Sequence, residues 1–340
     1  MIRKFVLLSI TAMLGCGIIS AQEGLSPSAR QIQALIQNLD SEDFAVREAA
    51  MKKLMDLGEA AMPAAEAARK HTSAEVRYRA EFVLQRLKIA PLLKLRKELA
   101  DFSQGSGELD VEQGMFLLSR ILDDKVKKAD LTRQLDDMAA KVRERLGKDI
   151  DPAKAEPEKA VAALRQVMFA DLGYGPNEEG YSNVNNCSLA WILETKKGRP
   201  VFVCQVMIAV ARRLEIPIVG LPVSGKYIVK YDGSRAPAGF AKDDIYIHAY
   251  DKGRILSRDD RIREYSFHDP DVMVPPDSSR DVLDRMLNNL QSTLGSRNQP
   301  GDAQRRELIS EFSELLSQSS STELPTGRAV PIKRALPGGR

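Results

Sequence analysis

The sequence predicts an α+β protein, with a helical leading segment ahead of a larger domain built from one central helix on a small antiparallel sheet. Three observations predict it. Residues 26–90 are alanine-rich, helical in pattern and internally repeated. Val201 to Leu214 places apolar residues on nearly every side of a helix, with Val203, Met207, Val210 and Leu214 on one row and Cys204, Ile208 and Ala211 on the next. That is the pattern of a buried helix. β-Branched and aromatic runs follow, one from Gly225 through Val229 to Tyr231 and one from Ile245 to Tyr250, as strands require.

The chain opens with Arg3-Lys4, an apolar run from Phe5 to Leu14, and the small-residue end Ile19-Ser20-Ala21. This is the pattern of a secretory leader over residues 1–21, with an apolar run short for spanning a bilayer. Lipidation at Cys16 is the alternative, but the bulky Leu14 two residues earlier favours ordinary cleavage. The expectation is an exported protein, periplasmic or extracellular, that meets the membrane only if Cys16 carries lipid. Losing Arg3 and Lys4 takes the formal net charge from +3 to +1, which leaves no electrostatic footing for nucleic acid as a partner.

Within 26–90 one motif occurs twice. Val46-Arg47 is followed by Ala50 and Leu54, and Val76-Arg77 by Ala80 and Leu84. The repeat is one helix pair long and resembles HEAT-like repeats, which need neighbours to bury their faces. Residues 91–107 read as a connector, with a short basic helix at Leu92 to Leu99 and a flexible Ser103 to Gly107. A domain is expected over 108–300, a last helix over 301–318 and a disordered Ser, Pro, Gly and Arg rich tail over 319–340.

Gly198 and Pro200 break the chain ahead of the central helix. Arg212 and Arg213 suit its C-terminal dipole, and Ile216-Pro217 ends it. The second domain resembles the SirB-type branch of the transglutaminase-like superfamily. The resemblance rests on Asn186-Cys187, Ile192-Leu193, Gly198-Arg199-Pro200, Ala211-Arg212-Arg213-Leu214, Ser224-Gly225-Lys226-Tyr227, Ile247-His248-Ala249-Tyr250, and a closing helix from Asp281 to Gln291. It implies a papain/transglutaminase-like fold.

Enzymes of that fold attack a carbonyl with a thiolate at the start of the central helix, assisted by an imidazole that an acid orients. The resemblance puts those three roles at Pro200, Lys226 and His248. Proline has no nucleophile, and a lysine ammonium is no substitute for imidazole at neutral pH. The expected function is therefore non-catalytic binding of a protein or peptide. The rival is a thiol-dependent enzyme acting on amide bonds, with Cys204, one turn beyond Pro200, served by His248 from the sheet. Cys187 and Cys204, on adjacent helices, suit either a disulfide in an oxidising compartment or two buried thiols. No cofactor is expected. His71, His248 and His268 lack zinc-site spacing, and His71 and His268 read as surface and turn residues.

Overall fold

The computed structural model describes residues 29–320, apart from 106, 179, 224–225, 266–274 and 296. The residues of the expected secretory leader, Cys16, His268 and the tail beyond 320 lie outside the described residues. The chain divides into two units, Met1–Ala90 and Pro91–Arg340.

The first unit holds α1 (Ala29–Asn38), α2 (Phe44–Asp56), α3 (Met62–Ala68) and the first part of α4 (Ala74–Ser103). Its core is Ile32, Ile36, Leu39, Leu54, Val76, Val83, Leu84 and their neighbours. The repeated motif has one geometry in both copies. Arg47 Nη1 donates to the carbonyls of Ser41 (2.6 Å) and Glu42 (2.9 Å). Arg77 Nη1 donates to those of His71 (2.8 Å) and Thr72 (2.7 Å). Each arginine thus ties the turn before its helix to the helix's first turn. Ala50 and Leu54 in one copy, and Ala80 and Leu84 in the other, are buried.

Residues 91–107 are not the separate connector expected from their composition. Helix α4 runs on to Ser103, with Pro91 inside it. Leu95 and Leu99 are buried in the core of the second unit, so the short helix expected at Leu92 to Leu99 is part of α4 and of that unit's core.

In the second unit α5 (Val111–Leu122), α6 (Lys128–Leu146), α7 (Pro157–Arg165) and α8 (Leu189–Thr195) lead to the central helix α9 (Pro200–Arg212). Two short parallel strands, β1 (Gly175–Pro176) and β2 (Lys197–Gly198), precede α9. Proline at the first helical position loses no hydrogen bond, because that N–H has no partner within a helix. Nine residues of α9, from Val201 to Ala211, are buried, as the all-round apolar pattern predicts. Just past its end, Arg213 donates through its terminal nitrogens to Glu112 (2.7 and 2.8 Å) and through Nε to Asp136 (2.6 Å). This pins α9 to α5 and α6.

A four-stranded sheet follows in the order β3 (Ile218–Val223), β4 (Lys226–Tyr231), β5 (Ile245–His248), β6 (Arg254–Ile255), all antiparallel. β3 was not expected from the sequence. Gly220 and Pro222 read as strand breakers, yet both are tolerated on the outer strand of a sheet, where one edge needs no ladder. Helix α10 (Arg258–Tyr265) follows, then α11 (Ser279–Gly295) and α12 (Asp302–Ser320). The last helix is part of the domain: Leu308, Ile309, Phe312 and Leu316 join the same core as α9 and α11. Among the described residues no helix is long and apolar enough to cross a membrane.

Candidate functional site

The start of α9 is where the fold would present a nucleophile, because backbone N–H groups converge there and the dipole lowers a thiol's pKa. Here it begins with Arg199 and Pro200. Arg199 Nη2 donates to Thr293 Oγ1 (2.9 Å), and its guanidinium lies 4.5 Å over the ring of Tyr181. Buried Asn186 fixes the loop that carries Tyr181. Its Nδ2 donates to the carbonyls of Gly180 (2.7 Å) and Tyr181 (3.3 Å), and its Oδ1 accepts from Asn177 Nδ2 (2.9 Å). The start of α9 is therefore an arginine on a tyrosine face, and the helix brings no thiol of its own there.

Both described cysteines are free and buried. The disulfide that the sequence allowed between Cys187 and Cys204 is not formed. Cys187 lies under Arg199 and Thr293, and burial outweighs the arginine's charge, pushing its thiol up to about 12. Cys204 is fully enclosed, its Sγ lies 3.6 Å from the carbonyl oxygen of Tyr227, and burial raises its pKa strongly. Neither thiol ionises at neutral pH in that setting.

The sheet's register decides what can face α9. Val229 pairs with Ile247 and Tyr231 with Ile245. Side chains alternate between faces along a strand. Tyr227, Val229, Tyr231, Ile247 and Ala249 share one core with α9. Ile228 and Tyr246 belong to another cluster, with Leu221, Val223, Leu256 and Tyr265. Lys226 is in phase with Ile228, and His248 with Tyr246, so both project from the face away from α9. There both meet Tyr265: Lys226 Nζ lies 4.9 Å from its ring centroid, and the His248 ring packs edge-on to it at 5.7 Å.

The expectation that His248 faces Cys204 is thus corrected. The imidazole and the thiol are on opposite sides of the sheet. His248 sits among Asp251 (Nδ1 to Oδ2 3.8 Å), Arg254, Lys226 and Glu264, and burial lowers its pKa. Pro200 does not join Lys226 and His248, because it starts the helix on the other face.

The residues that do share the helix side are ones the sequence reading passed over. Gln205 Nε2 donates to Tyr227 Oη (3.2 Å), and Arg285 lies 5.5 Å over the Tyr227 ring. Asp277 Oδ2 is 3.4 Å from Arg285 Nε. The phase of Tyr227 with Val229 and Tyr231, set against Lys226 with Lys230, was a visible signal for this arrangement. Among the described residues no group of three His, Cys, Asp or Glu could hold a metal.

Residues 129–288 match the family model described as the transglutaminase-like superfamily. The chain is 30% identical over 149 residues to a UPF0162 protein of Xylella fastidiosa (strain 9a5c), covering 41% of this chain and 50% of that protein. It is 34% identical over 70 residues to a UPF0162 protein of the Temecula1 strain, 21% of this chain and 25% of the other. A UPF0162 protein of Pseudomonas aeruginosa is 24% identical over 98 residues, 29% and 34% of the two chains. The chain spans half or less of the length of these relatives. No solved structure matches it significantly. The central helix, the sheet after it and the family match together make residues 129–288 a transglutaminase-like superfamily domain.

Proposed function

We propose that this is an exported, non-catalytic protein- or peptide-binding protein of the SirB type, in which a HEAT-like helical module precedes a transglutaminase-like domain that has lost its reactive groups. One observation carries the reading: the register of β4 and β5 sets His248 on the sheet face opposite Cys204, and the thiol is fully buried. Proton transfer between them requires direct or single-water hydrogen-bond reach. Pro200 at the helix start supplies no nucleophile in their place. The duplicated arginine geometry of Arg47 and Arg77 supports the repeat reading of the first unit.

Thiol labelling tests it. Native protein is treated with a maleimide at neutral pH and the modified cysteine is mapped. The expected result is no labelling of Cys204 until the protein is denatured. Labelling of native Cys204 that His248→Ala abolishes would establish a thiol–imidazole pair and overturn the reading.

A further inference from the structure

Among the described residues β3 has one unpaired edge. Its other edge pairs with β4 from Ile218↔Tyr231 to Val223↔Lys226. The carbonyl of Pro217 accepts from the N–H of Asp232 (2.8 Å), which fixes the phase. In an antiparallel strand both main-chain groups of a residue point to one side, and successive residues alternate. Val219, Leu221 and Val223 therefore bond toward β4, while Ile218, Gly220 and Pro222 face outward. The N–H of Ile218 is taken by the carbonyl of Ile216 (2.8 Å), and proline has none. The outward carbonyls of Ile218 and Pro222 and both main-chain groups of Gly220 remain, and no hydrogen bond reaches them among the described residues.

A cavity of 530 Å³ adjoins this edge, between β3, α9 and the residues that open α11. Ile208, Ile218 and Val282 form apolar wall. Gln205, Tyr227 and Asp277 supply the polar part. Gly220 makes room for the phenol, since a Cβ there would lie 2.2 Å from Tyr227 Oη. Gln205 spends its Nε2 on Tyr227, which leaves its amide oxygen as an acceptor. The Asp277 side chain is only 9% exposed, and its Oδ2 makes no hydrogen bond, with Arg285 at ion-pair distance only. A buried carboxylate short of donors and an amide oxygen lining the same cavity suit a group with several N–H donors and a positive charge, which is a primary ammonium.

We propose that the open edge of β3 binds an extended peptide by strand addition, with a lysine side chain of that peptide entering the adjoining cavity toward Asp277 and Gln205. This rests on the peptide-binding reading above and adds its site and ligand class. A peptide residue placed opposite Gly220 exchanges two main-chain hydrogen bonds with it, and its side chain projects on the helix face, where the cavity lies. Arg212, Glu215 and Arg235 at the cavity keep the rim mixed in charge, so the lysine is selected inside and not by a general acidic surface. Pro222 limits the pairing to a short segment and discourages two copies of β3 from zipping together.

The test is a titration of the whole protein with the peptide acetyl-Thr-Val-Lys-Val-Thr-amide, its norleucine analogue, and the analogue methylated on the lysine main-chain nitrogen. The expected result is binding of the first, and affinity weaker by about tenfold or more for each analogue. Asp277→Asn should weaken the lysine peptide by a similar factor and leave the norleucine peptide unchanged, which general damage to the fold would not do. Equal affinity for lysine and norleucine, indifference to methylation, or no binding at millimolar peptide would each overturn the proposal. Cys204 labelling bears on the non-catalytic reading alone, so the two fail separately.

Discussion

The two faces of the four-stranded sheet are built on different principles. The face toward α9 is mainly apolar core, with Val229, Ile247 and Ala249 fully buried in one cluster with Phe202, Val203 and Met207, and it opens into the polar-lined cavity only at its β3 end. The face toward α10 has a smaller apolar cluster ringed by paired charges: Lys230 with Asp244 at 2.6 Å, Arg254 with Asp251 and Glu264, both at 2.6 Å, and Lys226 on Tyr265. A one-residue offset along a strand therefore decides whether a side chain can take part in chemistry at the central helix. Tyr227 can reach the helix side, and Lys226, its neighbour, cannot.

Four substitutions or conditions sharpen that contrast. Phe202→Ala, in the apolar core, should cost about 3–5 kcal/mol in denaturant unfolding; a loss under about 1 kcal/mol would mean that this face is not the main core. On the other face, Asp244→Ala strands Lys230, whose side chain is 3% exposed. The expected loss is about 2–4 kcal/mol, somewhat below that of a fully enclosed pair because Asp244 keeps some contact with water, and Lys230→Met in the same background should restore much of it.

The third is a pH effect. His248 is held below its ordinary value of 6.5 by burial and by Arg254 and Lys226, against Asp251 and Glu264. The unfolded chain then takes up a proton before the folded one does. Stability from this group is complete above 6.5, falls as pH drops through the interval down to the folded value, and is flat below it. Thermal unfolding between pH 7 and pH 5, compared with His248→Gln, should show a steeper decline in the parent; parallel curves would exclude the buried-neutral assignment. The smallest effect is that of Lys226→Ala. The side chain is exposed and rests on an aromatic ring, so the loss should be under about 1 kcal/mol. A larger one would show Lys226 to be part of the structural network.

Several elements were legible in the residues. The all-round apolar pattern of Val201 to Leu214 gave α9, and the echo of Arg47 and Arg77 marked a repeated helical unit, whose two arginines share one geometry in the structure. Three features were not. β3 carries Gly220 and Pro222, which local propensity assigns to turns, and only its place at the sheet edge makes them tolerable. The joining of the short helix expected at Leu92 to Leu99 into one helix from Ala74 to Ser103 depends on Leu95 and Leu99 finding apolar partners far along the chain. The site residues Tyr227, Gln205 and Asp277 come from three separate segments, and only their meeting in one cavity marks them.

The residues alone settle that α9 opens without a nucleophile of its own, because Pro200 brings no reactive atom whatever surrounds it, and the apolar spacing from Val201 to Leu214 settles that the helix is buried. Tertiary structure decided which neighbours the remaining polar groups would have. Strand side chains alternate with a period of two, so the pairing of β4 with β5, and the face that α9 covers, had to be fixed before His248 could be assigned to one side of the sheet and Tyr227 to the other.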